Sequence, residues 1–171
     1  MTVPDHGLTD RTDAQTAGRT ADPTAGRRLP AEEIPVGVEQ QLGSHTVTED
    51  EVLAFGRDWD PQYFHIDAEA ATESDFGGLI ASGIHTLAVF QRLSVERALD
   101  SYDIVAGRQL RSVRFLRPVR PGDTLTGTMR VERVDPPVNG RAMGVSTGQL
   151  TNQHGKQVLD VSVDFVARAA R

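Results

Sequence analysis

The densest group of reactive side-chain types in the chain runs Arg57-Asp58-Trp59-Asp60-Pro61-Gln62-Tyr63-Phe64-His65-Ile66-Asp67. Carboxylates, an imidazole, an amide and aromatic rings fall within one short stretch. A carboxylate beside an imidazole can take a proton from one atom and return one to another, which is the equipment of general acid–base catalysis. Asp60 and His65 form the candidate pair, and Asp58 competes with Asp60 for the carboxylate role. The same residues also suit a structural loop, in which the Asp side chains cap helices and the rings plug the core.

A second group is Ile80-Ala81-Ser82-Gly83-Ile84-His85. Gly83 falls where a long helix should begin. Unpaired backbone N–H groups at such a start, at the positive end of the helix dipole, can polarise a carbonyl. A simpler reading is also open, with Ser82 as an N-cap and Gly83 allowing close packing.

Composition excludes several other chemistries. The 171 residues contain no cysteine, so disulfides, thiolate nucleophiles and thiolate metal sites are all ruled out. The five histidines include no pair with convincing metal-ligand spacing, and no metal site is expected. His6 and His154 read as solvated, His45 as a strand residue, and His85 as a packing or interface residue on a helix. A formal charge of −6, with no Lys/Arg cluster, argues against nucleic acid or an anionic membrane as partner. No apolar run is long enough to cross a bilayer, and the first residues do not form a secretory signal, so a cytoplasmic location is expected.

The elements that must position these residues follow from patterning. Residues 1–30 carry almost no large apolar side chains and read as a disordered tail; residues 31–171 form the domain. A first strand is expected over residues 38–47. Thr48-Glu49-Asp50-Glu51 is a capping box that starts a helix running to about Arg57. Pro61 disfavours helix before it, so residues 58–66 are expected as a loop. Asp67 can cap a short helix over residues 68–73. The longest helical pattern runs from Gly83 to about Leu99, with apolar residues over most of its girth.

Four β segments follow, near 108–117, 123–135, 141–151 and 156–168. Asn139-Gly140 and His154-Gly155 mark turns. The last segment alternates cleanly, with Val161, Val163 and Phe165 on one face. A curved antiparallel sheet wrapped around one central helix satisfies both halves, which is the α+β hot-dog fold. An α+β sandwich with its helices on one face is the alternative.

Taken together, the two groups resemble the MaoC-like and (R)-specific enoyl-CoA hydratase family. Its motif places Asp, any residue, Asn or Gln, Pro, Leu or Phe, His, an apolar residue and Asp where this chain has Asp60 to Asp67. Leu79-Ile80-Ala81-Ser82-Gly83 is similar to the family's apolar pair followed by a polar residue and Gly. Val113 to Asp123 looks like its strand-and-turn segment. Tyr63 stands where the motif has Pro, and Ser82 where many relatives have His; both alter the wall of the pocket.

The resemblance implies an enoyl-CoA hydratase or 3-hydroxyacyl-CoA dehydratase, a hydro-lyase of fatty acid metabolism. Asp60 and His65 would activate a water, and the N–H of Gly83 would stabilise the thioester oxygen. An Asp beside an imidazole in a semi-apolar pocket can hold its pKa where both proton steps are possible. Gln62, Tyr63, Ser82 and Arg117 are the implied substrate contacts. Arg114, Arg117 and Arg120 could meet phosphates, or be ordinary exposed arginines.

No cofactor is implied beyond coenzyme A as part of the substrate, and an acyl-carrier-protein thioester is the other possible handle. The family's pairing habit and the unpaired edges of a lone sheet both point to a homodimer or a multiple of dimers. A hot-dog thioesterase and a non-catalytic acyl-binding subunit of a heteromeric dehydratase are the competing functions.

Overall fold

In the computed structural model, residues 27–171 are described. Strand β1 (Glu39–Thr46) leads into helix α1 (Glu49–Trp59), a one-turn helix α2 (Tyr63–Ile66), a 3-10 turn (Ala70–Glu73) and helix α3 (Gly83–Arg97). Strands β2 (Ile104–Phe115), β3 (Thr124–Val134), β4 (Arg141–Thr151) and β5 (Gln157–Arg168) complete the chain. The strands form one antiparallel sheet in the order β1-β3-β4-β5-β2. It curves about α3, and the architecture is the α+β hot dog.

The capping box forms as expected. The Thr48 hydroxyl accepts the Glu51 N–H at 3.2 Å, and the Glu51 carboxylate accepts the Thr48 N–H at 2.9 Å. Asn139 and Gly140, both in the left-handed region at φ 52° and 75°, make the β3–β4 turn. Asp67 accepts the N–H groups of Glu69 and Ala70, so it caps the turn that follows, which is 3-10 and begins at Ala70.

Three expectations change. Residues 63–66, expected within a loop, close one α-helical turn, because Pro61 blocks helix only up to Asp60. Strand β2 begins at Ile104, four residues early, since pairing with β5 carries the ladder through Gly107. Helix α3 is buried on one face only, at His85, Thr86, Val89, Phe90, Leu93 and Ser94. Ile84 and Val95 lie open on its other side.

Leu29, counted with the tail from its composition, exchanges backbone hydrogen bonds with Ser101 and Asp103 and bridges to Tyr102. The rest of that tail, residues 1–26, lies outside the described residues.

Cross-strand partners share a face, so Ala142, Gly144, Ser146, Gly148 and Leu150 form the inner face of β4, opposite Ala167, Phe165, Val163, Val161 and Leu159. The missing side chain at Gly148 is where Phe90 of α3 rests. A Cβ there would stand 2.3 Å from the Phe90 ring and 3.0 Å from the Thr128 carbonyl. Gly148→Ala should therefore destabilise the fold by about 1–3 kcal/mol. Urea denaturation would show this as a lower midpoint with an unchanged slope.

Candidate active site

Three short pieces of chain converge at the site. Helix α1 ends at Asp60, whose N–H still bonds to the Gly56 carbonyl. α2 then folds back onto α1 at Gly56, where a Cβ would lie 2.7 Å from the His65 carbonyl and 2.9 Å from Ile66. The segment Ile80–Ser82 passes alongside. Its Ile80 N–H donates to the Phe64 carbonyl at 3.1 Å, and its Ala81 N–H to the Val119 carbonyl at 2.8 Å. These backbone bonds place His65, Asp60 and the start of α3 together.

His65 is buried, with 4% of its surface exposed. Its Nδ1 lies 2.8 Å from the Ile80 carbonyl oxygen. A carbonyl only accepts, so Nδ1 carries a hydrogen, and in the neutral form of the ring Nε2 presents a lone pair. That Nε2 stands 3.4 Å from Asp60 Oδ2. The Asp60 carboxylate is held at both oxygens: Gln62 donates to Oδ1 at 2.9 Å, and the Ser82 hydroxyl donates to Oδ2 at 2.7 Å.

These bonds, Ser82's first and then Gln62's, lower the Asp60 pKa, and the nearby His65 acts in the same direction. They outweigh the opposing effect of burial. The semi-apolar surroundings anticipated for this carboxylate are thus overridden by donors, and Asp60 is an ionised acceptor.

The sign of the pH dependence follows. A carboxyl whose folded pKa is depressed contributes stability above its unfolded pKa, and that stability is lost as pH falls through the folded value. The stability gap between the native chain and Asp60→Asn should be widest near neutrality. It should close on acidification below about pH 4, as followed by urea denaturation at a series of pH values.

A cavity of about 340 Å³ opens beside the pair. His65 and Gly83 are in its wall, with Phe64, Phe76, Phe115 and Arg117 among the other lining side chains. Asp60 stands outside this wall, with about a quarter of its side chain exposed. Gly83 is the first residue of α3, so its N–H has no carbonyl within the helix to bond. The Phe115 ring presses on it, 2.9 Å from where a Cβ would stand.

The structure thus gathers Asp60, Gln62, His65, Ser82 and Gly83. Tyr63 is half exposed, edge-on to Phe64, and does not line the cavity. Arg117 is at the cavity and donates to the Gln157 carbonyl at 2.6 Å; Arg120 donates to the Phe76 carbonyl at the rim. Arg114 is exposed on β2, opposite Asp160. Asp58 remains inside α1 and makes no bond to His65 among the hydrogen bonds and ion pairs of the described residues.

The other histidines are accounted for. His85 is buried and stacks on Phe55 at 4.7 Å, and burial lowers its pKa. His45 pairs with Glu51, His154 is exposed, and His6 lies outside the described residues. No three metal-binding side chains gather among the described residues. No helix there is long and apolar enough to cross a membrane.

Sequence reasoning missed Gly56 and the carbonyl of Ile80. A glycine inside a helix costs roughly 1 kcal/mol relative to Ala, which is a signal for close approach. The Ile80 carbonyl carried no signal, since every residue has one.

With the fold and this geometry in hand, comparison with known proteins places the chain. A family model described as a MaoC like domain matches residues 33–153. The chain belongs to the MaoC-like dehydratase and hydratase family.

It is 35% identical over 127 residues to an uncharacterized Bacillus subtilis protein, YdeM, spanning 74% of this chain and 89% of that one. It is 33% identical over 97 residues to 3-hydroxyacyl-thioester dehydratase Z of Mycobacterium tuberculosis, spanning 56% of this chain and 64% of that protein. The crystal structure of the MaoC-like dehydratase from Rhodospirillum rubrum superimposes with a TM-score of 0.75 at 32% identity, covering 84% of this chain and 99% of that one.

Proposed function

We propose that this chain is a hydro-lyase that adds water to 2-enoyl thioesters, or removes it from 3-hydroxyacyl thioesters, in the cytoplasm. The observation that carries the reading is the facing of two acceptors. Asp60 Oδ2 and His65 Nε2 stand 3.4 Å apart, each with a lone pair fixed by its other partners. Two such acceptors suit one water that donates a hydrogen to each. Its oxygen lone pairs then point away, free to attack carbon.

In hydration that oxygen bonds to C3 of the enoyl group, and the dyad takes one proton from it. The C2–C3 π pair moves to C2, and the thioester oxygen gains negative charge. The Gly83 N–H at the start of α3 stabilises that charge. The dyad returns one proton to C2, so one water has been added overall. Dehydration is the same path reversed. The apolar walls of Phe64, Phe76 and Phe115 suit a hydrocarbon acyl group, and Arg117 at the cavity suits the phosphate of a coenzyme A or carrier-protein handle.

A second copy of the chain would complete the site. Strand β2 leaves a sheet edge open, with Leu110 and Phe115 exposed on it and Ile84 and Val95 exposed on neighbouring α3. A homodimer covering this seam would also shield the partly exposed Asp60. Light scattering should return the mass of a dimer or a multiple of it.

The test is a panel of trans-2-enoyl-CoA and enoyl-carrier-protein thioesters, with products identified by mass. Gain of one water supports the reading. Release of free thiol instead would make the protein a thioesterase. Binding of the whole panel without turnover would make it an acyl-binding subunit.

A further inference from the structure

The Ser82 hydroxyl is engaged twice, and the chemistry of its partners leaves it one arrangement. Its oxygen accepts the Ile84 N–H at 3.1 Å, which caps α3. It donates its single hydrogen to Asp60 Oδ2 at 2.7 Å. The Ile84 N–H can only donate and the Asp60 carboxylate can only accept, so the hydroxyl cannot turn without losing one bond. Ser82 is 2% exposed, so solvent does not compete for either partner. A hydroxyl committed in this way has no hydrogen left for a substrate carbonyl.

Building on the hydro-lyase reading, we infer that Ser82 is a positioning residue for Asp60 rather than a substrate contact. Its hydroxyl locks the rotation of the carboxylate and ties it to the N-terminus of α3. Asp60 Oδ1 is fixed by Gln62, and Oδ2 has one direction taken by Ser82, so a single Oδ2 lone pair remains toward His65 Nε2. The reacting water is thereby confined to one orientation.

The segment Ile80–Gly83 supplies three of the fixed points, and Gln62 supplies the other. The Ile80 carbonyl sets the His65 tautomer, Ser82 sets Asp60, and Gly83 offers the N–H for the thioester oxygen. The titratable group bearing on Asp60 is His65 of α2, while Ser82 and Gln62 bring only neutral donors. Loss of the Ser82 hydroxyl therefore removes a donor to the ionised carboxylate and leaves His65 in place.

The test compares Ser82→Gly, Ser82→Ala and Ser82→Thr. Glycine is tolerated at an N-cap at a cost of only a few tenths of a kcal/mol, so the Gly variant keeps the helix start while deleting the hydroxyl. Threonine retains the hydroxyl. Two readouts are taken on the full chain: the pH profiles of kcat and KM for enoyl-thioester hydration, and the titration of the Asp60 carboxyl by carbon-13 NMR, assigned with Asp60→Asn.

In the Gly and Ala variants the Asp60 titration and the acid limb of kcat should both move to higher pH. kcat at neutral pH should fall on the order of 10- to 100-fold, the worth of one hydrogen bond to a charged group. KM should stay nearly constant, and Thr should restore both. An Asp60 titration that stays put when the hydroxyl is deleted overturns the inference, as does a raised KM with an unchanged acid limb. The carboxyl titration needs no turnover. A shifted titration in a protein that hydrates nothing would keep the positioning role and discard the hydro-lyase reading.

Discussion

Asp60→Asn and His65→Gln should each slow enoyl-thioester hydration by about 10²- to 10⁴-fold, the usual worth of a positioned acid–base group. Asn is the informative change at position 60. Its carbonyl oxygen can still accept from Ser82, and Gln62 can turn its own amide to keep a second bond. What disappears is the charge that, in the proposed mechanism, accepts a proton from water. At position 65, Gln keeps a donor for the Ile80 carbonyl but no basic nitrogen.

In the proposed mechanism the two side chains act on one water, so their losses should not add. The double variant should be little worse than the poorer single one. Both predictions are read from kcat/KM in the same assay, with circular dichroism melting to confirm a folded chain. If either single variant kept more than about a tenth of the native rate, that side chain would not be carrying the proton.

Gly56→Ala should produce the second large effect, in a residue that touches no substrate. A Cβ at this position would stand 2.7 Å from the His65 carbonyl oxygen and 3.1 Å from the His65 Cβ. Backbone on both sides prevents a cheap rotamer escape, so α2 must lift off α1 by several tenths of an ångström. His65 would move with it, away from both Ile80 and Asp60.

Misplacements on the scale of 1 Å cost up to about 100-fold in rate, so a loss on the order of 10- to 100-fold is expected here. Alanine is the better helix former, which offsets part of the strain within α1. Thermal stability should accordingly fall less than activity. Native activity in Gly56→Ala would mean that the α1–α2 contact does not position His65.

Much of the site was legible because its parts are close in sequence. Asp60, Gln62 and His65 sit within six residues, so one short segment keeps them near one another wherever the fold takes it. Ser82 and Gly83 announced a helix start through ordinary capping preference, and the structure has the helix starting there. Thr48 and Glu51 did the same for α1. The strands near 141–151 and 156–168 were readable from their turns and alternation, and both formed at nearly those bounds. Local chemistry suffices for all of these, since caps, turns and alternation act over a few residues.

What the amino-acid order alone determined, then, is the hot-dog class, the candidate Asp60–His65 pair and the position of the helix start. Tertiary structure decided how these meet. Nothing local in Ile80 marks its carbonyl as the group that sets the His65 tautomer, because that contact joins chain segments fifteen residues apart. Nothing local in Ser82 distinguishes a hydroxyl facing substrate from one turned onto Asp60, twenty-two residues away. The lowered pKa of Asp60 owes most to that distant Ser82 hydroxyl and next to Gln62, which is close by in sequence. Hydrogen bonds between distant segments depend on the direction in which each backbone arrives, and packing of α2 on Gly56 and of α3 on the sheet sets that direction.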